Sequence, residues 1–195
     1  MFTYIIPPKL ESIEIWGTFS DFRYLELAIN NIMMKSMVGE TPNDFLSNFS
    51  KIIDLSISSQ ENTFIEYGAP PNFVTDDPDD PSDKSKHHTF HLHRVSVNPI
   101  DLALSIAYLL EAVDKPYTDY LEKGMVCLLL HTVYDAYKEY CEYSLHPIDN
   151  AQLIVANNSY TNIQKKYIDV LKRFDKMTEK QRNERFESLM IKLEK

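Results

Sequence analysis

The sequence predicts an α+β protein, a small antiparallel sheet of about four strands with six or seven helices packed mainly on one face. Three observations predict it. Short apolar or alternating runs at 3–6, 12–17, 62–68 and 87–97 have the period of strands, while the rest of the chain shows helical spacing. Two helix starts carry a cap residue, a proline and an acid in the same order. A hydrophobic fraction of 44%, with 12% aromatics, supplies a packed core for 195 residues, read as one domain over 1–195.

The first strand, "TYII", is stopped by Pro7-Pro8, because proline removes a ladder donor. In "SIEIWG", Ile13 and Ile15 alternate with polar neighbours, the signature of a half-buried strand. "SDFRYLELAINNIMM" follows as a helix, with Ser20 as N-cap and Phe22, Leu25, Ile29, Ile32 and Met33 on one face. "TPNDFLSNFSKIIDL" offers Thr41 as cap, Pro42 in the first turn and Asp44 reaching back, and buries Phe45, Phe49, Ile52 and Ile53.

A strand in "NTFIEYG" ends at Gly68. The segment 76–86, "DDPDDPSDKSK", reads as a mobile acidic loop, since two prolines and five aspartates oppose regular structure. The histidine-rich strand comes next. "NPIDLALSIAYLLEAV" repeats the cap logic with Asn98, Pro99 and Asp101. The longest helix spans 118–143, and its middle, "MVCLLL", is apolar on every side, which predicts burial all round. A short helix at 147–156 begins after His146. Two last helices place Ile163, Tyr167, Leu171 and Phe174 on one face, then Phe186, Leu189, Met190 and Leu193 behind a Thr178-x-x-Gln181 capping box.

The formal charge of −9 is unevenly spread: −13 over residues 1–160 and +4 over 161–195. An acidic body repels phosphate backbones, so nucleic acid is not an expected partner. The longest apolar stretch, 102–113, is too short for a bilayer and contains Glu111, and the N-terminus lacks the pattern of a signal peptide. Cys127 and Cys141 are fourteen residues apart, about 21 Å along a helix, far beyond disulfide reach. Core packing is the expected use of Cys127, and two free thiols fit a reducing cytoplasm.

Four of six histidines stand at 87, 88, 91 and 93. Alternation puts His87, His91 and His93 on one side of a strand, with Phe90 and Leu92 expected to face the core and the imidazoles outward. Val95 and Val97 then fall on the histidine phase, which requires a bulge, a two-sided setting or an end near Arg94. Histidines at i and i+2, about 6.7 Å apart at Cα, can converge on one divalent metal, with His87 or Asp83 completing the shell. The competing reading is an outward polar face on an edge strand. No cofactor is called for otherwise; glycines at 17, 39, 68 and 124 build no phosphate loop.

His131 and Asp135 share a helical face at i and i+4, either as a ligand or acid–base pair or as an internal hydrogen bond. Tyr134, Tyr137, Tyr140 and Tyr143 recur every third residue and wrap half the helix circumference. They read as boundary packing or as an aromatic surface for a partner. A small-molecule site between sheet and long helix, near Trp16 and His131, is a further reading.

"SIEIWGTFSDFRYLELAI" and "YTNIQKKYIDVLKRFDKMTEKQRNERFESLMIKL" together resemble a family of small bacterial proteins known as a domain of unknown function. In that family an early strand passes through a Gly-x-Phe turn and an Asp into a helix, and a Tyr-containing helix and an Arg-bearing one close the chain. The resemblance implies a bacterial, cytoplasmic α+β protein and assigns no site residues. The expected function is therefore non-enzymatic binding, with a protein partner (a basic one fits the acidic body) or a second copy of the chain. The alternative is a metal-binding protein or metal-dependent hydrolase built on His87, His91, His93 and Asp83.

Overall fold

A computed structural model describes residues 2–36, 44–59, 63–67, 89–113, 115–116 and 118–194. The chain opens on strands β1 (Thr3–Ile5) and β2 (Ile13–Thr18). In the turn between them Leu10 donates its N–H to the Pro7 carbonyl at 2.9 Å. Leu10 takes a positive φ of 52°, a conformation that costs a side-chain-bearing residue about 1 kcal/mol. Burial of its side chain and a hydrogen bond from the Tyr140 hydroxyl to its carbonyl, 2.7 Å, hold it there.

Helix α1 (Phe19–Ser36) begins one residue after Thr18, and Thr18 rather than Ser20 caps it. The Thr18 hydroxyl accepts from the Asp21 N–H at 3.2 Å, and the Asp21 carboxylate accepts from the Thr18 N–H at 3.0 Å. This is a capping box with aspartate in the returning role, which starts the helix directly off the strand. Helix α2 (Asp44–Ser58) buries Phe45, Phe49 and Ile53, with Ile52 half-buried. Its expected cap, Thr41-Pro42, and the acidic loop 76–86 lie outside the described residues.

Strands β3 (Thr63–Tyr67) and β4 (Thr89–Val97) complete an antiparallel sheet in the order β1-β2-β4-β3. Register across β2 and β4 is unbroken from Ile13 opposite Val97 to Thr18 opposite Leu92. Ile13, Ile15, Val95 and Val97 are buried on one face, against α1 and α2, while Glu14, Trp16 and Arg94 on the other are half-buried. The helices thus pack mainly on one face, and the fold is α+β.

Helix α3 (Pro99–Val113) starts as read, with the Asn98 side chain accepting from the Ile100 N–H at 2.9 Å. Helix α4 (Tyr120–Tyr140) has a capping box that the sequence reading missed, Asp119 with Glu122. Helices α5 (Pro147–Asn157), α6 (Tyr160–Asp175) and α7 (Glu179–Glu194) close the chain. The Thr178–Gln181 capping box is present, the two backbone N–H groups meeting side chains at 3.0 and 3.4 Å.

Two charged side chains tie distant segments together. Arg182 on α7 is buried; it donates to the carbonyls of Lys9 at 2.7 Å, Phe174 at 3.4 Å and Asp175 at 3.4 Å, and lies 4.9 Å over the Phe174 ring. It joins the β1–β2 turn to the α6–α7 corner. Lys35, near the end of α1, meets both carboxylate oxygens of buried Glu122 at the start of α4, at 2.7 and 2.9 Å. At the other end Phe2 touches Phe22 of α1 with its ring and accepts from Thr132 of α4 with its carbonyl. Helices α1 and α4 therefore run antiparallel, with Leu27 roughly level with Leu128.

Candidate functional site

The histidine strand is oriented opposite to expectation. His93 is only 8% exposed and shares the buried phase of Val95 and Val97, while Leu92 is half-buried on the other side. The conflict at Val95 and Val97 is thus resolved without a bulge: His93 lies on the core phase with them. Two branched valines paired with Ile13 and Ile15 bury more apolar surface than Leu92 would, so they fix the register. His93 stands across from Gly17, its Nδ1 3.4 Å from the Ser56 carbonyl of α2 and its ring 6.0 Å from Phe19. His91 pairs with Ile65 in β3. His87 and Asp83 lie outside the described residues, and among those described no three His, Cys, Asp or Glu side chains converge.

The tyrosine row divides. Tyr137 and Tyr140 are fully buried and cannot form a surface for a partner. Each hydroxyl finds a carbonyl, Tyr137 on Pro99 and Tyr140 on Leu10, which removes the penalty that would keep a phenol at the boundary. Tyr134 and Tyr143 are half-buried around His146. The His146 ring stacks on Tyr134 at 4.0 Å and meets Tyr143 edge-on at 5.0 Å. Its Nδ1 accepts from the Ile148 N–H as the cap of α5, and its Nε2 faces the Tyr134 carbonyl at 3.2 Å.

Both His146 nitrogens are occupied in the neutral, Nε2-protonated form. Burial lowers its pKa, against the opposing pull of the Tyr134 carbonyl and Asp149. The folded chain therefore takes up this proton less readily than the unfolded chain. The His146 contribution should be whole above an unfolded pKa of about 6.5 and should fall away as pH drops through the lower folded value. Urea unfolding from pH 8 to 5 should show that loss, and His146→Gln should flatten the slope between pH 6.5 and 5. An unchanged slope would count against this reading.

His131 and Asp135 are 3.9 Å apart on the surface, with His131 79% exposed, and Asp135 bonds Lys138 more closely at 2.7 Å. Trp16 sits half-buried on the sheet face away from the helices, so it shares no site with His131. Of the cysteines, Cys141 is the buried one, its thiol pushed up to about 12 chiefly by burial; Cys127 is exposed, contrary to expectation.

That exposure belongs to a larger feature. The middle of α4 is buried on one side only, through Met125, Val126 and Leu129. Its outer face presents Tyr120, Leu121 at 64% exposure, Gly124, Cys127 and Leu128 at 50%. Beside it, α1 presents Tyr24, Leu27 and Met34, the last 74% exposed, at helical spacing. Gly124 stands at the centre of the α4 face, and among the described residues nothing lies within 4 Å of where its Cβ would be.

A separate cavity of about 190 Å³ opens between α2, α3 and α6, at the end of β4. Phe45, Phe49, Ile52 and Val97 give it apolar walls, and Asp44, Asp101, Ser105 and Tyr167 are among its polar lining residues. From the sequence, Asp44 and Asp101 read as capping residues and Phe45, Phe49, Ile52 and Tyr167 as core, because three distant segments contribute to one hollow.

No helix among the described residues is long and apolar enough to cross a membrane. No protein-family model, curated protein or solved structure matches this chain.

Proposed function

We propose that this chain is a non-enzymatic bacterial cytoplasmic protein that acts by self-association, two copies meeting through the outer face of α4 and the adjoining flank of α1. The observation that carries this is Gly124, set in open space amid exposed Tyr120, Leu121, Cys127 and Leu128. A glycine inside a helix costs about 1 kcal/mol relative to alanine, and packing among the described residues gives it no use. A facing helix would use it, because a missing Cβ lets two backbones approach closely.

A second copy is favoured over an unrelated partner by the charge pattern. The chain carries −9 overall, which opposes contact between copies in general. The central positions of this face are uncharged, as interface cores are, so two copies can meet there without opposed carboxylates. A two-fold axis near Gly124 would pair the face with itself. Two side chains that the sequence offered for chemistry sit elsewhere: His93 packs in the core and His131 is solvated. Bacterial origin rests on the family resemblance, and the cytoplasm on two free thiols.

Sedimentation equilibrium at micromolar to near-millimolar concentration tests the reading. The native chain should reach dimer mass, and Leu128→Glu, at an exposed position, should remain folded and monomeric. A native chain monomeric throughout the range would sink the proposal.

A further inference from the structure

The cavity between α2, α3 and α6 has a composition that selects one kind of ligand, independently of self-association. We infer that it is a binding site for a small organic cation, a primary ammonium carried on a compact apolar or aromatic body. Two carboxylates serve it, Asp101 in the first turn of α3 and Asp44 at the start of α2. No lysine, arginine or histidine lines it among the described residues. The charged side chains in its described lining are both acidic, which disfavours an anion.

The other walls suit the rest of such a molecule. Phe45 is held by edge contact with Tyr167, ring centroids 5.2 Å apart at 87°, and by stacking on Tyr108 at 5.9 Å. Aromatic faces attract a cation, and the rings also offer an apolar body a dispersion surface. At about 190 Å³ the hollow exceeds the cavity of about 150 Å³ that accepts benzene, so a benzylammonium-sized guest fits and a nucleotide does not.

The carboxylates are positioned rather than consumed by internal pairing. Tyr167 hydrogen-bonds Asp101, and Gln164 donates to one Asp44 oxygen at 2.5 Å, but neither acid forms an ion pair among the described residues. Both are near helix N-termini, where the macrodipole favours negative charge. Burial nonetheless raises the Asp101 pKa, with the Tyr167 hydroxyl opposing that shift. A bound cation would offset the cost of keeping this carboxylate ionised.

Benzylamine hydrochloride, benzyl alcohol and sodium benzoate, titrated into the full chain and followed by amide chemical shifts, form the test. Benzylammonium should produce saturable shifts centred on Asn48, Asp101, Ser105 and Tyr167, and it should bind at least about tenfold more tightly than the alcohol or benzoate. Asp101→Asn should weaken it by about tenfold, the loss of one charge-assisted hydrogen bond. Asp44→Asn, at an exposed position that does not threaten folding, should weaken it as well. Equal binding of the alcohol, shifts centred elsewhere, or native-like benzylamine affinity in Asp44→Asn would overturn the assignment.

Discussion

Arg182→Ala is expected to lower the unfolding free energy by about 3 kcal/mol, because it strips hydrogen bonds from three carbonyls and opens the site beneath the guanidinium. For a chain of this size, that corresponds to a melting temperature lower by about 10 °C. Arg182→Lys should recover little of it. An ammonium on a flexible stem cannot reach the Lys9, Phe174 and Asp175 carbonyls together, nor lie flat over Phe174. Glu11→Gln should do far less harm, since Glu11 is 60% exposed and 3.6 Å from the guanidinium. Thermal melts of the three variants check this. A loss in Glu11→Gln equal to that in Arg182→Ala would mean that the ion pair, not the carbonyl clamp, holds the corner.

His93→Asp should be comparably damaging, by about 3 kcal/mol or more, because it puts a carboxylate into the core facing the Ser56 carbonyl. Ser96→Asp, at an exposed position of the same strand, should change stability by less than about 0.5 kcal/mol. Chemical denaturation of the pair measures strand orientation directly. If His93→Asp is tolerated, the imidazole faces solvent and the outward reading of the histidine row returns.

That strand marks where sequence reasoning reached its limit. Helix starts were legible because caps are local: Asn98 and Thr178–Gln181 act within one turn, and the structure reproduces them. The phase of β4 is not local. Phe90 and Leu92 outrank histidine in hydrophobicity, yet Val95 and Val97 continue the histidine phase and meet Ile13 and Ile15 across the sheet. The signal was present in the two valines, and weighing the whole nine-residue strand would have found it.

The long helix failed for the reverse reason. "MVCLLL" contains enough apolar residues for burial all round, but only neighbouring elements decide which sides they cover, and none of those described covers Gly124. Tyr137 and Tyr140 went inward because carbonyls of Pro99 and Leu10, far away in sequence, await their hydroxyls. The cavity combines residues from 44–52, 97–105 and 164–167, a grouping that spacing along the chain cannot reveal.

Gly124→Ala tests the central claim most directly, because self-association predicts effects of opposite sign. Measured by urea unfolding at dilution, where copies are apart, the substitution should stabilise the chain by about 0.5–1 kcal/mol through helix propensity. Measured by sedimentation, it should weaken self-association by about tenfold, since the added methyl groups hold the two helices apart. Stabilisation with unchanged association would leave Gly124 an ordinary exposed glycine and would contradict the account.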